Sequence, residues 1–296
     1  MIFVSCASYR DPELLQTIQS AYDNSDNPDA VVFGVYSQVA EGEHPDLSNF
    51  NVREVVVPYT EAKGAGYARA QVQKLYDGED YFMQVDAHTL FEPHWDTRLI
   101  DWYESLLAYK PLISGWAAPY CYENGEVVHK HEDGAWIWEP HTTRANSYKN
   151  TWIGARVPME DKYQEMQVLL AGFIFTGGEF VKDLPYDPRI PFWAEEFLLS
   201  VRAYSAGYTM YSIGEIFIRH NYQRHGTIRA WDDIPDWDER TKQALKIQRD
   251  VLCLREQGPY GIANDDIPSY FEYLAMIDKR ELPYRAERIY RSSIRV

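Results

Sequence analysis

Short apolar runs alternate with amphipathic stretches through the first part of the chain. IFVSCAS (2–8) reads as a strand. DPELLQTIQSAYDNS (11–25) reads as a helix with Asp11 at its N-cap, Pro12 in its first turn, and Leu14, Leu15, Ile18 and Tyr22 on one face. AVVFGVYSQ (30–38) and REVVVPY (53–59) are β-branched and suit buried strands, GAGYARAQVQKLY (64–76) suits a second helix, and DYFMQVDA (80–87) a fourth strand. This alternation with short links predicts an α/β fold with a central, mostly parallel sheet flanked by helices. Ligands of such sheets bind outside the carboxyl ends of the strands. Between 118 and 143 the turn dipeptides Asn124-Gly125 and Asp133-Gly134 separate strand-like stretches, which predicts an excursion of strands over the mouth of the site. Trp136 and Trp138 fall on one face of that excursion, suited to packing or to gripping a sugar. DERTKQALKIQRDVLCLREQG (238–258) is a helix with Ala244, Ile247, Val251 and Leu254 in one stripe and Gly258 as its stop. The expected organisation is therefore a main body over 1–231, carrying an insert at about 116–165, and a helical extension over 232–296 packed on it.

Composition narrows the class. With 45% hydrophobic and 25% charged residues, the 296-residue chain is globular, and no apolar run reaches the length of a membrane helix. A net charge of -16 repels phosphate backbones, which argues against general nucleic-acid binding. The last stretch, KRELPYRAERIYRSSIRV, is locally basic and is expected to close on the acidic body. Cys6, Cys121 and Cys253 lie far apart without a CxxC pair, and the N-terminus shows no basic leader or long apolar stretch. Both features predict reduced thiols and a cytoplasmic protein.

The candidate chemistry starts in YFMQVDAHTLFEPHWD (81–96), where a buried-looking strand ends on Asp86 and His88. Side chains alternate along a strand, so an Asp-x-His pair faces one way and can share a divalent cation such as manganese. A cation there can neutralise the diphosphate of a sugar nucleotide. The plain alternative is a turn-capping Asp86 and a surface His88. His220, beyond the strand-like IFIR, can complete a ligand set, and HNYQRH offers His225 as a rival whose Gly226-Thr227 flank reads as an exposed turn. Glu195 and Glu196 open a helix that Gly207 stops; the helix dipole alone favours acids there. Gly64 and Gly66 form only a bare GxG, but Lys63 and Arg69 nearby are placed to face a diphosphate. His129, His131 and His141 stand among acids in the insert, where a polar hairpin explains them as well as a second metal site does.

VSCASYRDPELLQTI, AKGAGYARA, QVDAHTLFEPHWD, AGFIF (171–175), DPRIPFWAEEFLLSVRAYSAGY (187–208) and EIFIRHNYQRHG (215–226) occur in an order that resembles the polypeptide N-acetylglucosaminyltransferases directed at hydroxyproline of a cytoplasmic protein. More distantly, they resemble the mucin-type polypeptide N-acetylgalactosaminyltransferases. The resemblance covers about 1–231, with a weaker echo in SYFEYLAMID (269–278); residues 116–165 match no part of it. It implies a GT-A glycosyltransferase fold, a manganese-type cation, a UDP-sugar donor and transfer with retention to a hydroxyl acceptor. Protein side chains lead among acceptors, with a glycan or hydroxylated nucleobase as alternatives. It also implies roles by position. Asp86 would contact metal and donor, and His88 and His220 would complete the metal set. Glu195 would act at the anomeric carbon, Arg69 would touch the donor, and Gly172 would lie close to its sugar. Ser5, Ala7 and Tyr9 or Arg10 would hold uracil and ribose. Trp193 and Ala194 stand where the family has two glycines, which places Trp193 beside the donor. A non-catalytic sugar-nucleotide binding module on the same sheet is the competing class.

Overall fold

The computed structural model describes residues 1–130, 136–141, 153–158, 162–166, 168–224, 226–252 and 258–262. The first half runs β1 (Ile2–Tyr9), α1 (Leu14–Asp23), β2 (Val31–Val39), β3 (Val52–Pro58), α2 (Ala65–Gln73), β4 (Tyr81–Asp86), β5 (Thr89–Phe91), α3 (Trp95–Ser105) and β6 (Lys110–Ser114). There follow β7 (Ala118–Glu123), β8 (Glu126–His129), β9 (Trp136–His141), β10 (Ile153–Pro158), β11 (Tyr163–Glu165) and β12 (Phe173–Gly177). The chain continues through α4 (Phe180–Asp183), α5 (Glu195–Ser205), β13 (Tyr208–Ile213), β14 (Ile218–Asn221), α6 (Ala230–Asp233) and α7 (Trp237–Leu252).

The main sheet has eight strands in the order β11-β13-β6-β12-β4-β1-β2-β3. β1 pairs in parallel with β2 and β4, β2 with β3, and β13 with β6. β12 is antiparallel to both β4 and β6, and β11 to β13, so the sheet is mixed. The central strands β1, β2 and β4 are buried along nearly their whole length because both faces are covered. Val4 and Cys6 of β1 face one layer with Leu14, Ile18, Trp95 and Leu99, whereas Phe3 faces the other with Val72, Phe180 and Leu199. A smaller sheet runs β5-β14-β7-β8. β14 is antiparallel to β5, with His220 opposite Thr89, and this pairing carries a late segment to the end of β4.

Local structure departs from expectation at several ends. The first helix begins at Leu14, with Glu13 in the cap position and no side-chain cap bond. Asp11 stands two residues before that cap; one of its carboxylate oxygens accepts the Glu13 N–H at 3.0 Å, a capping-type bond ahead of the helix, and the other is engaged by His88. The second helix stops at Gln73, and the last described helix runs Trp237–Leu252, leaving Leu254 outside the described residues. Ala244 and Val251 of that helix pack against Ile190, Ala194 and Leu198. Asn124 (φ 53°) and Gly125 (φ 85°) make the tight turn between β7 and β8, as two left-handed residues in a hairpin should. Asp133-Gly134, His131 and His225 lie outside the described residues, as does the basic stretch at 279–296. Trp136, Trp138 and His141 fall in β9, which pairs antiparallel with β10. No helix among the described residues is long and apolar enough to cross a membrane.

The two glycines of AKGAG serve close packing. A Cβ on Gly64 would collide with the carbonyl oxygen of Pro191, and one on Gly66 with that of Ile190. Gly64 also has φ 106°, which a side chain rarely tolerates. Gly64→Ala is expected to lower unfolding free energy by about 2 kcal/mol or more, read as a reduced denaturant midpoint.

Candidate functional site

At the carboxyl end of β4, Asp86 leaves the sheet beside Ala7 of β1, and His88 follows before β5. Because β14 pairs with β5, His220 arrives against them. Its Nε2 lies 3.1 Å from Asp86 Oδ2, and the His88 and His220 rings are 4.5 Å apart at 70°. One ligand atom from each of Asp86, His88 and His220 lies within 4.8 Å of the others, a spacing that suits one divalent cation. His88 turns Nδ1 to Asp11 Oδ2 at 2.9 Å, which leaves its Nε2 free as a ligand. The Tyr222 ring packs 4.2 Å from that of His220. The described residues therefore fit a metal by atom type, spacing and orientation.

Arg69 of α2 joins this group to α5. Its Nη2 donates to Asp86 Oδ1 at 2.8 Å and its Nη1 donates to Glu195 Oε1. Burial works to deprotonate Arg69, but the Glu195 and Asp86 carboxylates outweigh it and hold the guanidinium charged. Burial likewise opposes ionisation of Asp86; the His220 hydrogen bond and Arg69 overcome it and keep its carboxyl well below the usual range. His220 is pushed down by desolvation, against the pull of Asp86, which favours the neutral, ligating imidazole. Burial raises Glu196 from 4.5 to about 7, opposed by the Ala171 N–H that its carboxylate accepts at 2.9 Å.

A cleft of about 290 Å³ opens above the three candidate ligands. Ala7, Tyr9, Gln38 and Gly64 line one side, and Phe192, Trp231 and Trp237 another. A second cavity of about 120 Å³ lies past Arg69 and Asp86, bounded by Gly172, Trp193, Glu195 and Glu196. Next to it, a Cβ on Gly172 would stand only 3.3 Å from Asp86 Oδ2, so glycine keeps that oxygen open. Of the residues expected from sequence, Asp86, His88, His220, Arg69 and Glu195 come together, and Ala7, Tyr9, Gly172 and Trp193 border the two cavities. Three do not line either cavity. Ser5 is fully buried in mid-strand between Gly34 and Gln84. Arg10 is turned aside by ion pairs to Glu43 (2.6 Å) and Asp233 (2.9 Å) and lies over the Tyr59 ring. Lys63 is exposed, its ammonium over the Tyr67 ring.

Sequence reasoning missed Asp11, Gln38 and the segment 228–237. Asp233 accepts a hydrogen bond from Tyr9 Oη at 2.7 Å, and Trp231 and Trp237 wall the cleft, so residues on both sides of position 231 build it. The aromatic–acidic run RAWDDIPDWDE was the available signal.

The chain belongs to the Glycosyltransferase (GlcNAc) family, whose model matches residues 1–50 and 43–271. No curated protein matches it. Among solved structures it is similar to GalNAc-T7 with UDP, GalNAc and Mn2+ (TM-score 0.61, 15% identity, covering 96% of this chain and 57% of that one). This chain thus spans little more than half of that protein's length. It is also similar to S. aureus TarS 1–349 in complex with UDP-GlcNAc (0.53, 12%, 95% and 74%). A third is the mannosyltransferase PcManGT from Pyrobaculum calidifontis with GDP-Man and Mn2+ (0.53, 12%, 99% and 73%). The family match and the likeness to solved structures together make this chain a glycosyltransferase of the GT-A fold.

Arg69→Met should strand two carboxylates and cost about 3–5 kcal/mol in denaturant unfolding. Glu196 sets a pH dependence. Its proton is held more tightly in the fold than in the unfolded chain, so its contribution is complete below about pH 4.5 and lost as pH rises through about 7. Glu196→Gln is expected to flatten that part of the stability–pH curve.

Proposed function

We propose that this chain transfers N-acetylglucosamine from UDP-N-acetylglucosamine to a hydroxyl group of a protein side chain, with retention at the anomeric carbon. The observation that carries the reading is the Asp86–His88–His220 cluster at the carboxyl end of β4, open to a cleft with Arg69 at its edge. The family description supports the donor, as does the likeness to GalNAc-T7 with UDP, GalNAc and Mn2+ and to TarS with UDP-GlcNAc. The hydroxyl acceptor and the retained configuration rest on the resemblance of the motifs.

Asp86, His88 and His220 would hold a divalent cation such as manganese, which supplies positive charge to the donor diphosphate as the sugar leaves. Ala7 and Tyr9, on the strand end facing the cleft, suit the nucleoside. Gly172 and Trp193 bound the smaller cavity and suit the sugar. Arg69 fixes the rotamer of Asp86 and offers its charge to the donor. Glu195, at the first turn of α5 and paired with Arg69, would orient sugar hydroxyls and favour developing positive charge at the anomeric carbon. In a same-face transfer the departing diphosphate can accept the proton of the attacking hydroxyl, so the site needs no separate base. The proposed catalytic body spans 1–231 and the extension 232–296, with α6 contributing to the wall of the cleft. The buried free thiols of Cys6 and Cys121 support a cytoplasmic setting.

Hydrolysis of a panel of sugar nucleotides with Mn2+ and with chelator tests this reading. UDP-N-acetylglucosamine is expected to turn over fastest, chelator to abolish turnover, and His220→Ala to lower kcat/KM by about 100-fold or more. Faster turnover of another nucleotide sugar would change the donor; absence of both turnover and metal binding would leave a binding module.

A further inference from the structure

Beside the cluster lies a turn of carboxylates that the proposed chemistry leaves without a task. We propose that Asp11 is a positioning residue for the cation site, fixing the ring and tautomer of His88, and that Glu13 ties the neighbouring strand of His220 to the same turn. The assignment rests on the metal-dependent reading of the cluster above.

Asp11 is 8% exposed, and its Oδ2 lies 2.9 Å from His88 Nδ1. A carboxylate can only accept there, so a neutral His88 must carry its proton on Nδ1 and present an unprotonated Nε2 toward Asp86 and His220. The same oxygen accepts from Arg224 Nη2 at 2.6 Å, and Oδ1 accepts the Glu13 N–H at 3.0 Å, so the carboxylate is held from three directions. Glu13 continues the frame. Its Oε1 accepts from Asn221 Nδ2 at 2.8 Å, and its Oε2 accepts from Tyr120 Oη at 2.6 Å and Tyr122 Oη at 3.1 Å. The Asn221 backbone N–H donates to the His88 carbonyl at 3.1 Å, closing a loop of bonds around both imidazoles. The two rings are held unequally. His220 Nδ1 is buried with no hydrogen-bond partner among the described residues, and packing of the His88 and Tyr222 rings keeps that imidazole in place. Asp11 is thus the carboxylate behind one ligand of the pair, and an isosteric loss of its charge should be felt by the cation.

Two measurements on the full chain test this. Long-range proton–nitrogen correlations on histidine-labelled, metal-free protein should show His88 with its proton on Nδ1; a proton on Nε2 overturns the assignment. Asp11→Asn should raise the Mn2+ dissociation constant, read by electron paramagnetic resonance of free Mn2+, by about 10- to 100-fold. It should also shift His88 to a mixture of tautomers. If Asp11→Asn fails to fold, the tautomer of the unaltered protein still decides. Mn2+ binding that is indifferent to Asp11→Asn overturns this assignment alone, whereas an unaltered chain that binds no Mn2+ brings down the proposed function and this assignment with it.

Discussion

The arrangement depends on one buried guanidinium. Arg69 reaches from α2 to two carboxylates on separate elements, Asp86 at the end of β4 and Glu195 at the start of α5. Without a cation between them, two acids in a desolvated pocket would repel and the ends of strand and helix would part. Arg69 can stand there because α2 lies almost against the backbone of Ile190 and Pro191, an approach that Gly64 and Gly66 permit. Close packing of bare backbone thus sets the position of the charge, and the charge sets the site.

The second constraint is the small sheet. A strand end brings together only groups that are neighbours in sequence, here Asp86 and His88, so a third candidate ligand has to come from elsewhere. β5 has three residues, yet its antiparallel pairing with β14 fixes His220 opposite Thr89 and so beside His88. β7 then pairs with β14 from the other side and brings Tyr120 toward Glu13. A few ladder bonds therefore convert a two-residue motif into a three-sided pocket.

Much of this was readable in the amino acids. β1, β2 and β4 announce themselves because strands covered on both faces are rich in apolar, β-branched and aromatic residues, and Asp86-x-His88 is conspicuous because it ends such a run. Gly207 marks the stop of α5 through its left-handed φ of 85°. Other features left no local trace. The antiparallel β12 wedged between β4 and β6, and the pairing of β5 with β14, join segments far apart in sequence, and no short-range pattern encodes such partners. Ser5 and Arg10 were placed by motif position and Lys63 by its nearness to a helix start, and neither says which direction a side chain takes. Ser5 sits inside the sheet, Arg10 is captured by Glu43 and Asp233, and Lys63 rests on an aromatic ring in the open. Trp231, Asp233 and Trp237 escaped notice because their stretch read as the start of an appended helical region.

That last stretch has a consequence for biosynthesis. The cleft takes side chains from Ala7 through to Trp237, and the clasp of Asp233 on Tyr9 and Arg10 joins the earliest strand to a late helix. A growing polypeptide can assemble β1 to β4 early, but the cleft lacks one wall until α6 has emerged from the ribosome. The wall of the cleft is therefore complete only once Trp237 has been made, and fragments cut before that clasp carry Asp86 and His88 without the enclosure that surrounds them.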